Sequence, residues 1–186
     1  MIKLKILIIL GLWTFTGVAV AADVLHGRVV GVTDGDGITV LDSKNRQYEI
    51  RMFAIDAPET SCHIKKPSTA DDLCIEKSQP YGKAAKRNLS YLVYGKNVRV
   101  VLGQGSSYNR LVGTVYVGDQ DINLQQVRDG FAWHYTYYAR NQPAGVRKVY
   151  EESQRLAQKE MRGLWADKHS MAPWDYRRNQ RKSNGR

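Results

Sequence analysis

Two pairs of acids stand close together in the first third of the chain. Asp34 and Asp36 bracket Gly35, and Asp56 and Glu59 bracket Ala57-Pro58. Arg51 lies between the pairs, and a second arginine, Arg110, follows in the run Y-N-R. Carboxylates are hard oxygen donors that collect a divalent cation. A guanidinium is a rigid, permanently charged fork that grips two phosphate oxygens at once. Together these side chains form the kit for handling a phosphate ester, and no histidine is required. D-G-D alone is ordinary turn chemistry, and it fails as an EF-hand loop because Ile38 and Thr39 stand where Asp or Asn and Gly are needed. The reading therefore rests on the two acid pairs and the arginines jointly.

The elements that must position these residues can be traced from pattern. Residues 25–32 and 38–41 are β-branched and read as strands joined by the D-G-D turn, and residues 47–55 alternate as a third strand. Arg51 and Asp56 are five positions apart, so one regular strand would aim them to opposite faces. To share a site, the strand must bulge or end before Asp56, and Pro58 favours an ending. A helix follows Pro80-Tyr81-Gly82, with Ala85, Leu89, Leu92 and Val93 on one face and Gly95 at its stop. Strands at 97–102 and 111–117 flank a turn at 103–110. Asp121 or Asn123 caps a helix carrying Leu124, Val127 and Phe131, with Gly130 at its end. After the run F-A-W-H-Y-T-Y-Y, Pro143 starts the longest helix, whose stripe is Val146, Val149, Tyr150, Ser153, Leu156, Ala157, Glu160 and Met161. Five strands and three helices in the order βββαββαα predict a small Greek-key barrel with helices, an α+β fold of the OB type, with an unclosed α+β sheet as the alternative.

Composition bounds the setting. Residues 1–22 place Lys3 and Lys5 ahead of an apolar run that ends in Ala19-Val20-Ala21, the pattern of a cleaved signal peptide. The expectation is an exported protein, periplasmic or secreted, with no stable membrane association after cleavage and a monomeric state. The whole chain has a formal net charge of +10, and removing the two lysines of the leader leaves +8 on one domain over residues 23–166 with a basic tail at 167–186. Such an excess suits an acidic partner, and nucleic acid, an anionic surface and an acidic polysaccharide all qualify. Cys62 and Cys74 are the two cysteines, and in an exported chain an even number predicts a disulfide, here across the long loop at 60–79. A zinc site would need more ligands than His63 adds.

The chain resembles the staphylococcal nuclease (thermonuclease) family. The resemblance is carried by D-G-D at 34–36, R-M-F-A-I-D-A-P-E-T at 51–60, Tyr81-Gly82, Y-N-R-L-V-G at 108–113, V-R-D-G-F-A at 127–132 and G-L-W at 163–165. It implies an OB-fold barrel and a calcium-dependent endonuclease acting on DNA and RNA to leave 3′-phosphate ends. By position, Asp36, Asp56 and the carbonyl of Ala57 would hold Ca²⁺. Arg51 and Arg110 would grip the phosphate, and Glu59 would act on the attacking water. Among Tyr108, Tyr135, Tyr137 and Tyr138, candidates to stack on bases or bond phosphate as aromatics on OB surfaces do, family position favours Tyr108 and Tyr138, while Phe131, Trp133, His26 and His134 are read as structural. Two departures stand out: Gly37 replaces the usual Thr or Ser and would loosen the calcium turn, and Ala57 replaces Thr. The rival reading is an OB-fold module that binds nucleic acid without cutting it, as members lacking the acids and arginines do. The tail from Tyr176, with five cations and no acid, reads as a solvated end.

Overall fold

The computed structural model describes residues 23–60, 78–107, 110–139 and 141–183, with the backbone alone at 104–107 and 138–139. The signal segment, Cys62, Cys74 and Tyr108 lie outside the described residues. In chain order the elements are β1 (Val24–Val32), β2 (Gly37–Leu41), β3 (Gln47–Met52), β4 (Ile55–Asp56), α1 (Gly82–Val93), β5 (Asn97–Ser107), β6 (Arg110–Val117) and β7 (Gln120–Asp121). They continue as α2 (Ile122–Arg128), β8 (Trp133–His134), α3 (Thr136–Ala139), α4 (Ala144–Lys159), a 3-10 turn at Gly163–Ala166 and α5 (Pro173–Ser183).

The order β3-β2-β1-β5-β6 closes on itself because β3 also pairs with β6, in parallel, which makes the five-stranded barrel expected of an OB fold. Its interior is filled by β-branched and aliphatic residues on alternate positions, among them Val29, Ile38, Val40, Ile50, Met52, Val100 and Val115. Burying each Ile or Val of this set contributes about 2 kcal/mol. Ala85, Leu89 and Val93 of α1 add to this core, as does α2 through Ile122, Leu124 and Val127. Asp121 caps α2 by accepting from the Leu124 N–H at 3.0 Å, and its other oxygen accepts from the Tyr150 hydroxyl at 2.8 Å, which ties α4 to the cap. Burial raises the pKa of Asp121 and pushes that of Tyr150 above the usual tyrosine range.

Several expectations need correcting. The third strand is not continuous over 47–55: it ends at Met52, and Phe53-Ala54 turns the chain, with Ala54 at φ 59°. Ile55 and Asp56 then pair with His134 and Trp133 in a separate two-stranded sheet. Residues 103–107 and 110 extend β5 and β6 rather than forming a loose turn. α2 stops at Arg128, and Phe131 packs beyond its end. Only three of the eight stripe residues are inside: Tyr150, Ser153 and Ala157 are buried, whereas Val146, Val149, Leu156 and Met161 are exposed. The C-terminal stretch also departs from expectation, because Pro173–Ser183 is helical.

Asn123 holds the redirecting turn in place. Its Oδ1 accepts from the Val115 N–H at 3.0 Å, and its Nδ2 donates to the carbonyls of Phe53 (3.0 Å) and Gly113 (3.3 Å), with the residue wholly buried. Asn123→Ala removes the side-chain partner of the Val115 N–H and the Phe53 carbonyl, while the Gly113 carbonyl keeps the Phe53 N–H, so the unfolding free energy should fall by about 2–3 kcal/mol. Urea denaturation reads this directly. A change within a few tenths of a kcal/mol would show that the turn is held by other means.

Candidate active site

The register of the barrel brings the acid pairs and Arg51 together. Arg51 pairs with Gly37 across β2 and β3, one residue from Asp36. The Phe53-Ala54 turn swings Asp56 back toward the same end. There the Nη1 of Arg51 ion-pairs with Asp36 Oδ1, and its Nη2 donates to Asp56 Oδ1 at 2.7 Å and to the Ile55 carbonyl at 3.4 Å. Asp36 Oδ2 accepts from the Ala57 N–H at 2.7 Å, which fastens the D-A-P-E segment to the D-G-D turn. Both aspartates are buried, at 1% and 0% exposure. Asp34, the first acid of the opening pair, plays a local part: its Oδ1 accepts from the Asp36 N–H at 3.1 Å.

The turn is close-packed. A Cβ on Gly35 would sit 2.5 Å from the Ala57 Cβ and 2.7 Å from the Ala85 Cβ, and the Gly35 carbonyl accepts from Gln126 Nε2 at 2.7 Å. At Gly37 the space that a side chain would take is filled by Asp34 Oδ1 and Thr33 Oγ1, each 2.7 Å from where its Cβ would be. Gly37 therefore belongs to a filled turn.

Glu59 is placed by its backbone. Its N–H donates to Gln79 Oε1 at 3.3 Å, and its carbonyl accepts from the Gln79 N–H at 2.9 Å. Gln79 Nε2 in turn donates to the Met171 carbonyl at 2.6 Å, linking this strap to the residues ahead of α5. Arg110 opens β6, two residues before Val112, the register partner of Arg51. Alternation therefore puts Arg110 and Arg51 on the same side of the sheet.

A residue absent from the sequence reading completes the cluster. Arg177, on α5, donates from Nη2 to Asp56 Oδ2 at 2.6 Å and from Nη1 to Asp56 Oδ1 at 3.2 Å and Glu59 Oε1 at 2.6 Å. Burial works against its charge, but the hydrogen bonds and charges of Asp56 and Glu59 outweigh that and raise its pKa above the usual arginine value. α5 is docked by Trp174, whose ring stacks on Tyr135 (centroids 5.1 Å apart) and meets Trp133 edge-on (5.8 Å). Trp133 also packs against Trp165 at 4.2 Å, so it is structural as expected, and His134 bonds Gln142 at 2.8 Å within the core. Tyr135 stacks on Tyr137 as well, while the side chain of Tyr138 lies outside the described residues. A cavity of about 250 Å³ lies behind Pro58, between Tyr81, Trp133, Met171 and Tyr176. Pro173 at the first helical position, Asp175 in the first turn and Arg181 and Lys182 in the last are helix signals that could have revealed α5.

The donor set of Asp36, Asp56 and the Ala57 carbonyl is all hard oxygen, the chemistry that suits a divalent cation such as Ca²⁺. In this arrangement, however, each carboxylate oxygen of the two aspartates already accepts from a guanidinium or from a backbone N–H. Among the described residues no three His, Cys, Asp or Glu side chains are grouped to hold an ion.

Comparison with known proteins agrees with the geometry. Residues 49–167, more than half of the chain, match the family described as Staphylococcal nuclease homologue. A Haemophilus influenzae protein named "Uncharacterized endonuclease" is 36% identical over 83% of this chain and 74% of its own length. An Escherichia coli O157:H7 protein of the same name is 36% identical over 89% of this chain and 93% of its own. A rice protein, "Probable staphylococcal-like nuclease CAN1" of Oryza sativa subsp. japonica, is 32% identical over 73% of this chain and 34% of its own length.

Two helix-start glycines test how tightly Glu59 is seated. A Cβ on Gly82 would fall 2.1 Å from the Glu59 carbonyl oxygen, whereas one on Gly145 meets nothing within 4 Å. Gly82→Ala should lower stability by about 1–3 kcal/mol through overpacking, and Gly145→Ala should raise it by about 0.5–1 kcal/mol through helix propensity. Paired thermal melts give the comparison, and equal shifts would contradict the close seat.

Proposed function

Because this chain belongs to the staphylococcal nuclease family and is a nuclease hydrolase, we propose that its acid and arginine cluster is the active centre of an endonuclease. The proposed substrates are DNA and RNA, the products carry 3′-phosphate ends, and the cofactor is Ca²⁺. Members of the family are generally metal-dependent. The observation that carries the reading is Arg51 bridging two buried aspartates at a barrel rim, with Glu59 three residues beyond.

Each residue has a part that its chemistry permits. Asp36, Asp56 and the Ala57 carbonyl would hold the cation, which when bound supplies charge relief to the phosphate and a more acidic water. Nη1 of Arg51, engaged by Asp36 alone, keeps its second N–H for a phosphate oxygen, and Arg110 on the adjoining strand would add a second guanidinium. Donors fixed before the reaction stabilise the charge that develops on those oxygens without reorganising. Glu59, held by the Gln79 strap and only partly exposed, would orient or deprotonate the attacking water. Tyr108, Tyr135 and Tyr138 are proposed substrate contacts, since aromatic rings on OB surfaces stack on bases. Export rests on residues 1–22 and stays part of the proposal, as do the monomeric state and the Cys62–Cys74 bridge. Among the described residues no helix is long and apolar enough to cross a membrane.

Digestion of plasmid DNA by the purified protein tests the reading. Cleavage should appear with Ca²⁺ and vanish with a chelator. Arg51→Lys, Arg110→Lys and Glu59→Ala should each lower kcat by at least about a hundredfold with cooperative unfolding retained, the size of effect seen on losing one transition-state donor. Undiminished cleavage in chelator would remove the cation from the mechanism. Nucleic-acid binding without any cleavage would return the protein to the non-catalytic reading.

A further inference from the structure

We propose that Arg177 occupies the place of the divalent cation when none is bound, so that the C-terminal helix sets how much cation the enzyme needs before it can work. The inference rests on the reading of Asp36 and Asp56 as cation ligands. Asp36 and Asp56 are joined through Arg51, and Glu59 is joined to Asp56 through Arg177, so with Arg51 alone the three carboxylates would carry an excess of negative charge. Arg177 supplies a further positive charge at the two carboxylates that lie furthest along the chain, and does so through three hydrogen bonds. A guanidinium offers donors where a cation offers empty coordination positions, and both draw on the same carboxylate lone pairs.

The two occupants exclude one another. A divalent ion on Asp56 would lie within a few ångströms of the Arg177 charge, where repulsion is strong and weakly screened. Of the two arginines on Asp56, Arg177 is the one placed to leave. Its side chain is 36% exposed against 19% for Arg51, and Arg51 is also tied to Asp36 and the Ile55 carbonyl. The helix itself has reason to stay, because Trp174 is stacked among Tyr135 and Trp133 and the Met171 carbonyl is bonded by Gln79. The side chain therefore swings while α5 remains docked. Apparent cation affinity falls by the fraction of time the site is closed, so an arginine seated nine-tenths of the time weakens it by about tenfold.

Calorimetric titration of Ca²⁺ into the purified protein and into Arg177→Gln reads this without reference to cleavage. The variant should bind about tenfold more tightly, with one ion per chain in both proteins. Arg177→Lys keeps the charge but not the fork, so its affinity should lie between the two. It gives the same reading if the glutamine variant does not fold. Equal or weaker Ca²⁺ binding by the variants, with binding to the unaltered protein still measurable, overturns this inference alone. If neither the protein nor the variants bind the ion, the cation reading falls with it.

Discussion

Asp56 is a carboxylate with no solvent contact, set at the end of a two-residue strand. Removing such a group from water costs several kcal/mol unless close partners offset it. Here two guanidinium groups share its oxygens, one from the barrel and one from the C-terminal helix. That pairing joins parts of the chain that are 121 residues apart. It also dictates where Arg51 must point, and through Arg51 where Asp36 must sit. The D-G-D turn, the Phe53-Ala54 reversal and the docking of α5 all serve to bring charges to this one position.

The scaffold behind it is polar as well as apolar. Asn123 and Gln126, both wholly buried on α2, donate to backbone carbonyls of the reversal and of the D-G-D turn. A single short helix thus fixes both acid-bearing segments, because a fully satisfied amide in the core permits one arrangement and penalises others. The Gln79 strap does the same for Glu59 from the N-terminal side of α1. Rigid placement of this kind is what lets charged groups stabilise a reaction that moves charge.

Local pattern carried the barrel and most of the site. Pattern over 25–55 gave the meander, though β3 ends at Met52, and the five-residue offset between Arg51 and Asp56 demanded a break that the positive φ of Ala54 supplies. Pattern failed where partners are remote. The apolar stripe of α4 is too wide for the narrow face that packs on α2, so Val149 and Leu156 are left outside. Arg177 sits in a run of cations that reads as solvated, since neither Asp56 nor Glu59 is near it in the sequence. Nothing in its immediate neighbours distinguishes it from Arg178, which pairs with Asp175 on its own helix. Only the docking of Trp174, a tertiary contact, selects which of the two faces the acids.

We propose that Asp36 and Asp56 form one site whose charge is balanced by Arg51 together with either Arg177 or a divalent cation. A crystal structure of the protein grown with Ca²⁺, with the ion located by its anomalous scattering, tests this most directly. The account predicts an ion bonded to both aspartates, Arg51 still in place and the Arg177 guanidinium withdrawn from Asp56. An ion bound elsewhere, or one on the aspartates with Arg177 still paired to both oxygens of Asp56, would contradict it.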